Sequence, residues 1–439
     1  MRNGFIFNHT RCVNCNACSA ACILENGWTV HPRNIFTFNS ESENILPVIN
    51  LSLACNHCES AVCMNGCPAS AFYRESVTGA VIIDENKCIG CRYCQWNCPY
   101  DAPKFDSGKR TISKCHLCYS GLIEGRQPAC STACPTGAIT FGQLSDTDFG
   151  SVYSWFPDKK LNPAIEFTSN KYYTPLVVIP EEIPRPADIK QNKKGKNISG
   201  ELSLIIFSFL ATISVATIIS SFIGGVFPDR SIFISVLVIA GIVSFFHLGR
   251  ILRSWRSVIN LRNSPLSREI AAFIVYASVS SLTVLLRIPV LLIASSIIGL
   301  IFLLLIDNVY IYTDRKKTVI LHSGQTFISA LIIVSFISGI VLPFVFMALI
   351  KLVSIFYRLL VNKLNNSDIT LRFLRTVFLV VPGMSLILHN SNPDIFIIII
   401  FLIGELIDRI LFYIDFNPLN INTLIDEQLN LDRNEKKRD

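Results

Sequence analysis

All sixteen cysteines of the 439-residue sequence lie between residues 12 and 134. Two of the four quartets they form have the spacing C-x2-C-x2-C-x3-C, and two keep its first and last intervals but lengthen the middle one. The quartets are Cys12, Cys15, Cys18 and Cys22; Cys55, Cys58, Cys63 and Cys67; Cys88, Cys91, Cys94 and Cys98; and Cys115, Cys118, Cys130 and Cys134. This spacing is typical of thiolates that hold a [4Fe-4S] cluster. We therefore predict four [4Fe-4S] clusters.

The quartets must work in pairs, because the fourth cysteine of such a run ligates the cluster of the other run in two-cluster ferredoxins. We pair the second quartet with the third and the first with the fourth, which gives four ligand sets. Site 1 is Cys88, Cys91, Cys94 and Cys67; site 2 is Cys55, Cys58, Cys63 and Cys98; site 3 is Cys115, Cys118, Cys130 and Cys22; and site 4 is Cys12, Cys15, Cys18 and Cys134.

Disulfides and zinc are the two alternatives for the cysteines. Disulfides suit small secreted domains, but this chain is long and its first residues do not resemble a signal peptide. Zinc sites are usually built from two cysteine pairs, whereas these runs have three cysteines and a remote fourth. The spacing therefore favours iron–sulfur clusters.

The second half of the sequence has a different composition. Hydrophobic residues make up 51% of the chain, and its mean hydropathy of +0.45 is high for a soluble protein. Long apolar runs after residue 200 predict transmembrane helices. We place eight, at residues 202–226, 231–249, 269–286, 288–308, 324–341, 344–362, 370–389 and 394–414. The sixth is open to a second interpretation, since Pro343 could bend one long helix instead of separating two.

Lysine and arginine are concentrated in alternate loops of this half. Most of the net charge of +7 belongs to these loops, which indicates a membrane surface and not a nucleic-acid partner. The positive-inside rule places the cysteine-rich domain and the basic loops on the cytoplasmic side of a bacterial inner membrane. Export of the folded domain with a signal-bearing partner is the alternative.

The predicted fold class is α+β. A double bacterial-ferredoxin-like domain at 1–145 precedes a proline-rich strap and basic linker at 146–200. An all-α polytopic bundle follows at 201–415, and a charged tail occupies 416–439.

Two polar residues of the membrane half are candidates for chemistry. His247 lies at the predicted end of the second helix, where an imidazole can hydrogen-bond a quinone oxygen and accept a proton. Glu405 lies deep in the last apolar segment, and acids there are functional candidates by default. The alternatives are a structural histidine and an ion pair of Glu405 with Arg409, four residues on. The arginines that follow His247 are interpreted as charges that contact lipid headgroups or a docking partner.

Haem is not expected in the membrane half. Apart from His247, its only histidines are His322 and His389, which lie near predicted helix ends.

The sequence also resembles a known family. Residues 4–18, GFIFNHTRCVNCNAC, and 79–105 are similar to the four-cluster electron-transfer subunit of the dimethyl sulfoxide reductase family. The strings FHLGR, LRNSPLSREI, NVYIYT and GELIDRILFY are similar to that family's membrane anchor. Two subunits that are normally separate would be fused here.

The resemblance implies a quinol-oxidising module for a separate molybdopterin (bis-MGD) catalytic subunit. Menaquinol would bind near His247, with Glu405 and Arg250 as secondary groups. Electrons would enter at site 1 and pass through sites 2 and 3 to site 4, which would face the catalytic partner. The terminal acceptor would be an S- or N-oxide such as dimethyl sulfoxide in anaerobic respiration.

Three other functions stay open. The module could serve a polysulfide, tetrathionate or other oxyanion reductase, or it could run in reverse as part of a dehydrogenase. A membrane-tethered ferredoxin without a quinone site is the third.

Overall fold

The structure is a computed structural model that describes residues 2–38, 48–144, 156, 160–168, 200–313, 322–361, 366–389, 394–416, 418, 420, 421, 424 and 425. The chain divides into two compact units. The first unit is Met1–Lys193 with Leu419–Asp439, and the second is Lys194–Pro418. The predicted linker residues 169–199 and tail residues 426–439 lie outside the described residues.

The first unit contains short strands and short helices, as a ferredoxin-like domain requires. Its strands are β1 Asn3–Phe7, β2 Asn34–Phe38, β3 Ile49–Leu53, β4 Phe72–Arg74, β5 Val81–Ile83, β6 Lys104–Asp106, β7 Thr111–Ser113, β8 Ile139–Gln143 and β9 Ile165–Phe167. Its helices are α1 Ala17–Asn26, α2 Val62–Asn65, α3 Tyr93–Asn97, α4 Tyr119–Ile123 and α5 Ala129–Thr132.

The strands form one three-stranded sheet and three hairpin pairs. In the sheet, β1 is central, antiparallel to β8 and parallel to β9. Phe5 faces Phe141 across the β1–β8 pair, with the ring centroids 5.6 Å apart. The antiparallel pairs β2–β3, β4–β5 and β6–β7 complete the unit. Part of the predicted strap therefore contributes a strand, since β9 pairs with β1.

A segment from the end of the sequence also belongs to the first unit. Ile421 and Ile425 are fully buried in the same hydrophobic core as Phe5 and Phe7. The predicted charged tail thus begins with apolar residues that complete this core.

The second unit is a helical bundle. Its helices are α6 Leu202–Gly224, α7 Arg230–Phe245, α8 Pro265–Leu286, α9 Pro289–Thr313, α10 Thr326–Ile337, α11 Val341–Val361, α12 Asn366–His389 and α13 Ile395–Asp415. These eight helices of the described residues correspond to the eight predicted. Five contain segments long and apolar enough to cross a membrane, namely α6, α8, α9, α11 and α12. Apolar side chains such as Ile232, Val238 and Ile242 are more than half exposed, as lipid-facing side chains would be. The predicted α+β fold class is confirmed.

The sixth helix is separate from the fifth. Gly339 has a left-handed φ of +68°, which a helix interior does not allow, and it follows the last residue of α10. Pro343 is the third residue of α11, where its missing N–H costs no hydrogen bond. The interpretation as one bent helix is therefore wrong.

The third helix begins earlier than predicted. Ser264 caps it by accepting a hydrogen bond from the Ser267 amide, and Pro265 is its first residue. As a result, Glu269 lies one turn inside α8 instead of at its start.

Candidate metal centres and membrane site

The four C-x2-C turns share one backbone feature. In each, the residue before the second cysteine has a left-handed φ: Asn14, His57, Gly90 and Leu117. This conformation turns the chain sharply, and asparagine and glycine adopt it most readily. The local sequence thus folds so that consecutive thiols project to the same side of a tight loop.

Three of the four predicted ligand sets each line one cavity. The cysteines of site 2 line one cavity, those of site 1 line a second and those of site 4 line a third. In each case three cysteines come from one quartet and the fourth from another. The structure therefore brings these residues together in the predicted nested arrangement.

The cysteines of site 3 are also neighbours. Cys22 interacts electrostatically with Cys130 and Cys118, and Cys115 interacts with Cys22 and Cys130. Cys22 lies in α1, Cys130 lies in α5, and Cys115 and Cys118 lie in the segment between β7 and α4. All sixteen cysteines thus fall into the four predicted sets.

Two cysteine sulfurs of the predicted sets accept hydrogen bonds from backbone amides. Within the described ranges, no three His, Cys, Asp or Glu side chains are placed to hold a single metal ion. Amide groups nevertheless point at ligand sulfurs: Ala71 N–H donates to Cys67 Sγ and Leu117 N–H to Cys115 Sγ, both at 3.4 Å. Such hydrogen bonds are the means by which proteins stabilise cluster sulfurs.

Ten of the sixteen cysteines are buried, and burial disfavours the thiolate. Burial raises the pKa of Cys22 and of Cys98 to about 12. At neutral pH these thiols hold their protons until a metal displaces them, so loading would release protons. Burying a free thiolate costs free energy because its charge loses contact with water. A thiolate bound to iron has its charge neutralised, so the same burial costs less.

Electrostatic contacts between sets indicate a linear order. Cys94 of site 1 interacts with Cys63 of site 2, Cys115 of site 3 with Cys55 of site 2, and Cys22 of site 3 with Cys18 of site 4. Each set therefore neighbours the next in the order 1, 2, 3, 4.

The predicted membrane-site residues lie in different parts of the second unit. His247 follows α7 and is partly buried, Arg250 is exposed, and Glu405 on α13 is 1% exposed. α7 packs on α6 and α8, whereas α13 packs on α6, α10 and α12. The grouping of His247 with Glu405 and Arg250 in one quinol site stays a prediction.

Glu405 belongs to a buried ion cluster. Lys351 Nζ lies 2.8 Å from both Glu405 Oε2 and Asp408 Oδ2, and Arg375 Nη2 lies 2.6 Å from Glu405 Oε1. Ser323 Oγ donates to Asp408 Oδ1 at 2.7 Å. The alternative pairing of Glu405 with Arg409 is therefore wrong, because the partners of Glu405 come from α11 and α12.

A second ion cluster surrounds Asp415 at the end of α13. Its carboxylate accepts from Arg372 at 2.7 Å, from Arg358 at 3.3 Å and from His322 Nε2 at 3.0 Å. His322 Nδ1 accepts from the Gly324 amide, which leaves Nε2 to donate. His322 is thus held in an ion cluster, while the side chain of His389 lies outside the described residues.

Arg409 forms a third buried group. It donates to Ser208 Oγ at 2.8 Å and to the Gly324 carbonyl at 3.0 Å, lies 3.9 Å from Asp307, and stacks over the Phe412 ring. Asp307 in turn accepts from two amides at the start of α10. These contacts join α6, α9, α10 and α13.

Lys351 should be important for the stability of the bundle. Lys351→Met leaves Glu405 and Asp408 buried with Arg375 as their remaining ion partner, which we expect to lower the free energy of unfolding by roughly 3–5 kcal/mol. The measurement is unfolding in mixed detergent and sodium dodecyl sulfate. Arg230→Met, which removes an exposed cation, is the control. Equal stability of both variants would contradict the expected role of Lys351.

Sequence reasoning missed the roles of several buried charges. It gives no role to Lys351 or Arg358 in the sixth helix, and it places Glu269, which is 6% exposed, at a helix start. The available signal was a charged residue inside each apolar run, which marks a functional or ion-paired position in a membrane.

Known proteins are similar to part of this chain. Residues 47–144 match the family described as a 4Fe-4S dicluster domain. A probable anaerobic dimethyl sulfoxide reductase chain of Escherichia coli is 36% identical over 153 residues, covering 33% of this chain and 74% of that protein. One chain of the Haemophilus influenzae anaerobic dimethyl sulfoxide reductase is 35% identical over 186 residues, covering 38% and 90%. One subunit of an Allochromatium vinosum sulfite dehydrogenase is 28% identical over 224 residues, covering 44% and 93%.

The first two relatives match over most of their own length, and the matched stretches cover 33% and 38% of this chain. The chain also contains a helical bundle with five apolar helices long enough to cross a membrane. Its cysteine-rich unit identifies this chain as a member of the family of iron–sulfur electron-transfer subunits to which these chains of the anaerobic dimethyl sulfoxide reductases belong.

Proposed function

We propose that this chain oxidises menaquinol in the membrane and delivers the electrons, through four [4Fe-4S] clusters, to a separate bis-MGD molybdopterin subunit. The observation that carries the proposal is that four cysteine sets, neighbours in one order, share a chain with a bundle of apolar helices. When bound, the clusters would carry single electrons from site 1 to site 4. The acceptor on the partner would be an S- or N-oxide such as dimethyl sulfoxide.

The residues of the membrane unit supply the proton chemistry that quinol oxidation requires. Quinol releases two protons with its two electrons, so a group that titrates near neutral pH is needed beside it. His247 has a side chain of this kind, partly buried beyond the end of α7. Arg250 would orient the bound headgroup. Glu405, already bound by Lys351 and Arg375, would act through the charge of its cluster.

The basic loops support a location in a bacterial inner membrane with the cluster unit on the cytoplasmic side. The partner is inferred from the relatives, which are named as chains of dimethyl sulfoxide reductases.

The reverse direction is the second candidate. The similarity to a sulfite dehydrogenase subunit supports it, because a dehydrogenase would send electrons from its substrate through site 4 towards site 1 and into quinone. The order of the sites allows either direction.

The experiment is EPR of membranes that contain the full chain, reduced with a menaquinol analogue or with dithionite. Quinol-reducible cluster signals that a quinone-site inhibitor abolishes are expected, together with about sixteen iron atoms per chain, four for each cubane. Signals that appear only with dithionite would overturn quinol oxidation. Clearly fewer iron atoms would overturn the four clusters.

A further inference from the structure

Two cations are buried among the cysteine sets. Lys114 is 2% and Arg33 is 1% exposed. Within the described part of the chain, neither forms an ion pair with a carboxylate. A buried charge is costly unless it is paired. The nearest groups that could bear negative charge are the cysteine sulfurs.

Lys114 lies between site 2 and site 3. Its Nζ donates to Cys55 Sγ of site 2 at 3.5 Å, to the carbonyl of Cys115 of site 3 at 2.8 Å, and to the carbonyl of Val81. An ammonium group has three N–H donors and no acceptor, and these are three acceptors. The contacts therefore fit the charged form of the side chain.

Arg33 lies between site 3 and site 4. Its Nη1 donates to Ser52 Oγ at 3.1 Å, and this hydroxyl lies 3.2 Å from Cys18 Sγ of site 4. Its guanidinium also interacts electrostatically with Cys130 and Cys115 of site 3. Its Nη2 is buried without a hydrogen-bond partner among the described residues.

We infer that Lys114 and Arg33 are fixed positive charges that set the reduction potentials of the inner clusters, Lys114 those of sites 2 and 3 and Arg33 those of sites 3 and 4. Reduction adds one negative charge to a cluster, and a nearby cation in a poorly screened interior stabilises that charge. Site 3, beside both cations, is affected by both. Lys114 also lies where electrons would pass from one nested pair of sites to the other.

This inference rests on the proposed clusters but not on the direction of electron flow. It is tested by anaerobic redox titration of the full chain in membranes, with dyes as mediators and EPR as readout. Lys114→Met is expected to shift the reduced-to-oxidised ratio of sites 2 and 3 at least tenfold towards oxidised at a fixed potential, which is 59 mV for one electron. Arg33→Met is expected to do the same for sites 3 and 4, so that only site 3 responds to both substitutions.

Two kinds of control separate charge from packing. Lys109→Met removes an exposed cation, which pairs with Glu85 at 2.9 Å, and should leave all four potentials unchanged. Lys114→Arg keeps the charge and should keep the potentials. Iron loss in Lys114→Met but not in Lys114→Arg would also support the role of the charge.

Three results would overturn the inference. The first is that Lys114→Met retains its iron and leaves the reduction potentials of sites 2 and 3 unchanged. The second is that Lys109→Met shifts these potentials as much as Lys114→Met does. The third is that Lys114→Met and Lys114→Arg lose equal amounts of iron. Failure of the proposed function would look different, because the unsubstituted chain itself would then lack four clusters or their reduction by quinol.

Discussion

Cys98→Ser should disrupt the cluster of site 2 and leave that of site 1 intact, although Cys98 follows Cys94 of site 1 by only four residues. In the structure, Cys98 lines the cavity of Cys55, Cys58 and Cys63. We expect the loss of one cluster signal or its conversion to a three-iron form. Because site 2 lies between sites 1 and 3, the rate of electron transfer from quinol to site 4 should fall to the background rate.

The control for this prediction uses two reference substitutions. Cys58→Ser alters site 2 by a ligand from its own quartet, and Cys91→Ser alters site 1 in the same way. The EPR spectrum of Cys98→Ser should match that of Cys58→Ser. A match to Cys91→Ser would show that each quartet holds its own cluster and would reject the nested arrangement.

His247→Arg should abolish cluster reduction by quinol while leaving all clusters assembled. An arginine side chain is positively charged at neutral pH and can donate hydrogen bonds, but it cannot accept a proton. It therefore cannot take up the proton that quinol releases, which is the role proposed for His247. The measurement is the rate of cluster reduction by a menaquinol analogue, with dithionite-reduced EPR as the check on assembly.

A cation at the other end of the same helix provides the control for His247. Arg230 is the exposed first residue of α7, and Arg230→Met should leave the quinol rate unchanged. Unchanged quinol turnover in His247→Arg would remove His247 from the proposed site.

The helices and the cysteine sets could be predicted because both depend on local sequence. Long apolar runs mark helices wherever they occur, but several helix ends differ from the prediction. The Ser264 cap extends α8 beyond its apolar residues, whereas α7 and α10 end four residues earlier than predicted. The nested cysteine sets follow from a motif in which the fourth cysteine ligates the other cluster.

The partners of the buried charges could not be predicted, because they are distant in sequence. Arg409 lies four residues after Glu405 on the same helix. Glu405 nevertheless binds Lys351 on α11, which is 54 residues away in the sequence. Helical spacing identifies which residues can meet on one helix, but only the packing of α11, α12 and α13 decides which residues meet between helices.

The burial of Ile421 and Ile425 in the core of the first unit determines when that core can be completed. These residues follow α13, the last helix of the second unit, and they pack with Phe5 and Phe7 from the beginning of the chain. Domains usually fold in the order of synthesis, the N-terminal one first. Here, the first unit cannot close its core until the ribosome has made α6 to α13. The first unit is therefore finished last, and a chain that stops within these helices leaves it incomplete.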